Sequence, residues 1–214
     1  MQYRRFGRLE WRPSALGFGC MRLPVQGEDR SAIDVAQATE MVRYAIDNGV
    51  TYLDSAYVYH GGESERFLGR VLKDGYREKV RVATKLPMGL VESQADADRI
   101  LNEQLQRLQT DCIDFYLFHG LRRPRWELVQ RLDLLNWAEK ARAAGKIRHL
   151  GFSFHDSFEV LRTIIDSHPG WDFCQVQYNY MDTKYQAGTQ GLQYAASKGL
   201  GVVVMEPILG GRLA

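Results

Sequence analysis

Short β-prone apolar runs alternate with longer stretches in which apolar residues recur three and four positions apart. The runs fall at Leu16–Met21, Thr51–Ala56, Val80–Leu86, Ile113–His119, His149–Phe154, Phe173–Tyr178 and Gly201–Met205, which predicts seven strands. Between them, Met41, Val42, Ala45 and Ile46 predict one helical stripe, and Ala97, Ile100, Leu101, Leu105 and Leu108 a second. Val129, Leu132, Leu135 and Ala138 predict a third. Gly49, Gly75, Gly145, Gly170 and Gly199 each stand just past a helical segment and before a strand, where a helix C-terminus calls for left-handed backbone. Residues 4–15, RRFGRLEWRPSA, predict a short hairpin ahead of the first strand.

Strict alternation of strand and helix calls for a parallel sheet, either open and doubly wound or closed as a barrel. An open dinucleotide-binding sheet is expected to carry G-x-G-x-x-G after its first strand, and this chain has Cys20, Met21, Arg22, Leu23 and Pro24 there. Polar residues collect instead at the carboxyl ends of several strands, the face on which barrels keep their chemistry. The expected fold is therefore α/β: a (β/α)8 TIM barrel with an N-terminal β-hairpin, of which the chain supplies about seven strands. Its 214 residues fall below the ~250 typical of such a barrel. The expectation is a single domain over residues 1–214 that is incomplete at its C-terminus, the eighth strand and final helices belonging to a longer polypeptide.

Charge and cysteine content narrow the function classes. With 28 Lys+Arg against 26 Asp+Glu, a net charge of +2 gives no field that would hold nucleic acid or a membrane surface. No apolar stretch approaches the length of a membrane span, and the N-terminus lacks the apolar segment of a signal peptide. Cys20, Cys112 and Cys174 are odd in number, form no C-x-x-C pair and sit in apolar runs, which argues against a disulfide framework or a structural zinc site. A cytoplasmic location is expected, with Cys112 and Cys174 as small core residues.

The candidate chemistry lies at the strand ends. The second strand runs into Asp54, Ser55, Ala56, Tyr57, Val58 and Tyr59, the third ends in Lys85, and the fourth ends in His119. Taken singly, each has an ordinary structural role: a strand-end Asp caps a helix, a Lys is solvated, a Tyr packs, a His sits in a core. Brought to one rim they must satisfy one another, because burying them unpaired costs several kcal/mol. An ammonium beside a tyrosine favours the phenolate and eases proton transfer from a group whose ordinary pKa is near 10. A carbonyl oxygen facing Tyr59 and His119 would be polarised and protonated as a hydride reached its carbon.

The segments TYLDSAYVYHGGESERFLGRVLK, VATKLP, DFYLFHG, GKIRHLGFSFHD and CQVQYN follow one another over nearly the whole chain, and together they resemble the aldo-keto reductase superfamily. The resemblance implies Tyr59 as general acid, Lys85 as the partner that lowers its pKa, Asp54 as the orienter of the lysine and His119 as a carbonyl polariser. It also implies a nicotinamide dinucleotide, NADP(H) rather than NAD(H), lying extended across the barrel mouth without a glycine fingerprint. Ser153 and Gln175 match positions that hold the nicotinamide carboxamide, and Gly19, Cys20 and Met21 match the first-strand loop under the cofactor.

Two departures from the common pattern fall in the same region. His155 stands where many members carry an asparagine and is expected to replace its hydrogen-bonding group at the cofactor, and Met205-Glu206-Pro207 stands where many stack a tyrosine on the nicotinamide, so Met205 and Pro207 are the expected cofactor contacts there. A thioether packs on such a ring more adaptably than a tyrosine does. Both departures are similar to a bacterial and archaeal branch whose members often append a C-terminal iron-sulfur module. The chain carries no ligand cysteines of that kind and no expected metal site, so a cluster would belong only to a further C-terminal part.

The implied activity is reduction of an aldehyde or ketone, or the reverse oxidation, with a small-molecule carbonyl substrate. Two rivals come from other classes. A metal-dependent barrel hydrolase would draw on His60, His119, His155 and Asp54, though without H-x-H or H-E-x-x-H spacing. A non-catalytic or truncated barrel would keep the fold as a binding module. The basic stretch Leu121, Arg122, Arg123, Pro124 and Arg125 reads as a solvated loop or as an attractor for an anionic substrate.

Overall fold

The computed structural model describes residues 1–214. Seven parallel strands follow in sequential order: β1 (Phe18–Gly19), β2 (Tyr52–Asp54), β3 (Arg81–Leu86), β4 (Ile113–Leu121), β5 (Ile147–Phe154), β6 (Phe173–Gln177) and β7 (Gly201–Met205). The crossovers carry α1 (Val35–Asp47), α2 (Glu63–Val71), α3 (Gln94–Leu108), α4 (Arg123–Arg131), α5 (Leu134–Ala143), α6 (Phe158–Asp166) and α7 (Gly188–Ser197). Side-chain caps open two of them, Asp34 accepting from the Gln37 amide and Ser93 from the Asp96 amide.

The sheet is curled, and one hydrogen bond shows how far. Strands β2 and β6 are four places apart, which in a flat sheet would separate them by about 19 Å. Gln175 of β6 nevertheless donates from Nε2 to Oδ2 of Asp54 on β2 at 3.1 Å. Strands β1 and β7 form the two edges.

Because successive side chains on a strand point to opposite faces, the curl divides each strand between two cores. Outward residues such as Leu53, Val82, Phe118, Leu150 and Val176 pack against the helices through Val42, Phe67, Leu101, Val129 and Leu161. Inward residues Tyr52, Ala83, Phe115, Leu117 and Phe173 form a second, smaller cluster around Phe6. Phe6 comes from the N-terminal segment, which folds back through the antiparallel bridges Tyr3–Ser14 and Phe6–Leu9. Gly7 lets it seat: its φ is +56°, and a Cβ there would stand 2.4 Å from the Gly199 carbonyl oxygen.

Several expectations are adjusted. The first strand is only Phe18–Gly19, because Cys20–Arg22 turns into a 3-10 helix. The third helical stripe is split between α4 and α5 by Asp133, whose φ is +51°. On α1 the buried face is Ala38, Val42 and Ile46, while Met41 is exposed. Gly49, Gly75, Gly145 and Gly199 adopt positive φ as expected, but Gly170 does not. A Cβ at Gly170 would instead crowd the side chains of His168 and Glu139.

Candidate active site

The inward positions two residues beyond the Phe6 cluster make the rim. Tyr52 is followed by Asp54, Ala83 by Lys85, Leu117 by His119, Gly151 by Ser153, Phe173 by Gln175 and Val203 by Met205. The same two-residue period that packs the floor thus delivers six of the predicted residues to one opening.

Lys85 is its centre. Its ammonium, 1% exposed, donates to Asp54 Oδ1 at 2.6 Å, to the Ser55 carbonyl at 2.6 Å and to the Tyr59 hydroxyl at 3.4 Å. Burial pushes the lysine pKa down, but the Asp54 carboxylate and the Tyr59 hydroxyl outweigh it and hold the group above its ordinary value. Burial also raises Tyr59, and the opposing pull of Lys85 does not cancel it. Lys85 lowers the tyrosine, in the expected direction, but desolvation outweighs it and the phenol is protonated at neutral pH.

His119 faces Tyr59 edge to ring, their centroids 6.0 Å apart. Burial, reinforced by the charges of Lys85 and Arg125, lowers its pKa to about 3. The imidazole is neutral and has an N–H to offer an oxygen.

The loop that carries Tyr59 is held by an unusual backbone. His60, Gly61 and Gly62 have φ of 52°, 63° and 97°, a left-handed run that L residues avoid. His60 is anchored at both ring nitrogens, Nε2 accepting from the Leu23 amide at 3.2 Å and Nδ1 donating to the Arg30 carbonyl at 2.6 Å. Those bonds place His60 in the scaffold of the loop, with no lone pair left for a metal. No three His, Cys, Asp or Glu side chains converge on a common point.

A buried polar network ties the same loop and Lys85 to α3. Glu65, fully buried, accepts from Thr84 Oγ1 at 2.5 Å, from Gln104 Nε2 at 2.7 Å and from Arg107 Nη1 at 3.3 Å. Gln104 also donates to the Lys85 carbonyl at 3.1 Å, and Arg107 to the Tyr57 carbonyl at 3.2 Å. The Arg107 guanidinium lies 4.0 Å from the Tyr57 ring centroid.

The expected cofactor residues divide. Ser153 is buried and accepts from the Gly120 amide at 2.7 Å. Gln175 is 5% exposed, and its Oε1 is buried with no partner. Gly19 pairs with Asp54 in the sheet, and nothing lies within 4 Å of where its Cβ would be. Met21, Met205 and Pro207 are accessible at the same end. The His155 amide donates to the Leu121 carbonyl, and burial lowers its ring pKa while Glu206 opposes the shift.

Cys20 is fully buried, near enough to Asp54 and Lys85 for their charges to act on its thiol, and burial pushes that thiol well up. Cys174 is likewise a core residue, whereas Cys112 is only partly buried.

Gln177 escaped the sequence reading. It is 3% exposed, donates to Asp182 Oδ2 at 3.2 Å, and leaves its Oε1 buried and unpaired. The signal was available: Gln177 follows Gln175 by two on an inward face.

An aldo/keto reductase family model matches residues 15–214. Protein tas of Escherichia coli K12 is 31% identical over 224 residues, covering 88% of this chain and 63% of its own. The chain thus spans under two-thirds of that relative's length. Among solved structures, aldo-keto reductase AKR11C1 from Bacillus halodurans in its holo form has a TM-score of 0.81 at 27% identity, covering 100% of this chain and 69% of its own. An aldo-keto reductase from Klebsiella pneumoniae in complex with NADPH has a TM-score of 0.78 at 27% identity, covering 99% and 70%. With a family match across almost its entire length and this rim geometry, the chain belongs to the aldo/keto reductase family.

Proposed function

We propose that this protein is an NAD(P)(H)-dependent oxidoreductase that interconverts an aldehyde or ketone with its alcohol, on a (β/α)8 barrel to which the chain contributes seven strands. The observation that carries the proposal is the placement of the Lys85 ammonium between Asp54 Oδ1 at 2.6 Å and the Tyr59 hydroxyl at 3.4 Å. Residues 1–214 form one domain in this proposal, in the cytoplasm, with a small carbonyl compound as partner and no nucleic acid or membrane.

The residues present fit a nicotinamide carboxamide. The unpaired Gln175 Oε1 can accept from its NH2, the Ser153 hydroxyl retains a proton to donate, and the bare Gly19 lets a ring approach the β1 end. NADP(H) is proposed over NAD(H), with support from the NADPH in the Klebsiella pneumoniae relative. Bound there, the nicotinamide supplies or accepts the hydride.

The protein's own residues handle the proton. Neutral His119 donates a hydrogen bond to the carbonyl oxygen and makes its carbon more electrophilic. Tyr59, protonated at neutral pH, gives its hydroxyl proton to that oxygen. The phenolate left behind is stabilised by Lys85, whose charge Asp54 holds in place.

Replacement of Tyr59 by Phe tests the assignment. Carbonyl reduction is expected to vanish, while quenching of tryptophan fluorescence by the nicotinamide cofactor persists. Retained turnover would remove Tyr59 from the role.

A further inference from the structure

We propose that Arg125 forms an anion subsite at the rim of the candidate active site, and that the preferred carbonyl substrate carries a carboxylate. The inference rests on the proposed carbonyl chemistry and goes beyond it by naming a substrate class.

Arg125 lies in the first turn of α4, and its side chain folds back over the end of β4. Nη1 donates to the carbonyl of His119 at 3.1 Å and to that of Gly120 at 2.9 Å. The guanidinium is thereby tied to the residue whose imidazole faces Tyr59. An exposed arginine ordinarily samples many rotamers, and ordering it opposes binding. Here folding has already ordered it. Both bonds leave from one nitrogen, so Nη2 and Nε keep their N–H groups, in the planar geometry that matches a carboxylate.

The backbone makes room for this arrangement. Gly120 has φ of +63°, and a Cβ there would stand 2.6 Å from Arg125 Nη1 and 4.0 Å from His155 Cδ2. Any other residue would push the guanidinium away. Arg125 and His155 therefore flank Gly120 near the end of β4, next to His119.

The arginines around this point are free of ion pairs. Arg122, Arg123 and Arg125 are exposed, and none forms an ion pair within the protein. Among the neighbouring acids, Asp156 accepts from the Arg123 and Ser157 amides, Glu206 acts on His155, and Glu127 lies on α4 without an ion pair. The Lys85 charge is matched by Asp54. Of the three guanidiniums, Arg125 is the one bonded to the His119 carbonyl and so fixed in place.

The test compares para-formylbenzoate with its methyl ester, two aldehydes of similar shape and reactivity that differ by one charge. For the wild-type protein kcat/KM is expected to favour the acid by about tenfold or more, chiefly through KM, and the preference should shrink as salt is added. Arg125→Gln should bring the ratio of acid to ester close to one, and Arg125→Lys should restore only part of it. The same two compounds are titrated calorimetrically with cofactor present. A wild-type ratio near or below one, in turnover and in binding, overturns the subsite, as does a ratio that Arg125→Gln leaves unchanged. Preferential, Arg125-dependent binding without turnover would uphold the subsite and refute the carbonyl chemistry. Turnover without preference would do the reverse.

Discussion

The Lys85 ammonium and the Asp54 carboxylate meet at 2.6 Å, but the two are not equally buried: the lysine is 1% exposed and the aspartate 13%. The aspartate also accepts from Gln175, so it keeps a partner and some water if the lysine is removed. The lysine without its carboxylate would leave a charge stranded in the barrel.

That asymmetry predicts unequal costs. Asp54→Ala should destabilise the protein by about 3–5 kcal/mol, the range for breaking a buried pair from one side. Lys85→Met, which fills the volume without a charge, should cost distinctly less. Urea unfolding of the two variants checks the order, and both should lose carbonyl reduction.

His119 predicts an acid-side dependence. Its folded pKa of about 3 lies below the ordinary 6.5, so between those values the unfolded chain binds a proton that the folded one does not. Stability is therefore lost as pH falls through that window. By about pH 5 this one residue should remove about 2 kcal/mol relative to neutral pH, and the loss should be absent in His119→Asn. Urea unfolding of both proteins at the two pH values measures the difference.

The N-terminal plug predicts a coupled pair. Phe6 is 5% exposed and sits edge-on to Phe115 at 5.8 Å, so Phe6→Ala should cost about 3–5 kcal/mol. A Cβ at Gly201 would stand 2.7 Å from the tip of the same ring, so Gly201→Ala should also destabilise. With the ring gone the clash goes too. The double variant should lose less than the sum, which thermal or urea unfolding of the cycle will show.

Glu65 predicts a loss that reaches the active site. Glu65→Ala leaves Arg107, Thr84 and Gln104 without their shared acceptor, and should cost about 3–5 kcal/mol. Glu65→Gln keeps one acceptor oxygen and should retain more stability. Because Gln104 holds the Lys85 carbonyl and Arg107 the Tyr57 carbonyl, kcat should fall in both variants at temperatures where they remain folded.

Strand positions and the inward phase were legible because they depend on a local, two-residue period. Asp54, Lys85 and His119 each follow an apolar inward residue by two, which is enough to put them at one rim. Helix ends were legible where glycine had to supply positive φ, as at Gly49 and Gly145. Gly170 misled because the same residue type serves for close approach as well as for backbone conformation, and a sequence does not distinguish the two.

The site's electrostatics were not legible. A neighbouring lysine is visible in a sequence, whereas the burial that raises Tyr59 against it is a sum over the whole barrel. The burial of Cys20 was not legible for a related reason, since it follows from the 3-10 turn Cys20–Arg22 and the residues packed around it. The two bonds that make His60 a scaffold residue come from Leu23 and Arg30, on a loop dozens of residues away.

By itself the sequence determined the alternation of strands and helices, the face each strand presents, and which ionisable side chains arrive at the strand ends, because all three follow from periodicities of two and 3.6. Only the tertiary structure decided how those ends meet. The Gln175–Asp54 bond spans 121 residues, and it exists because the sheet curls until β6 faces β2. Protonation of Tyr59, neutrality of His119 and the fixing of Arg125 over β4 likewise depend on desolvation and close approach between segments that no local pattern connects.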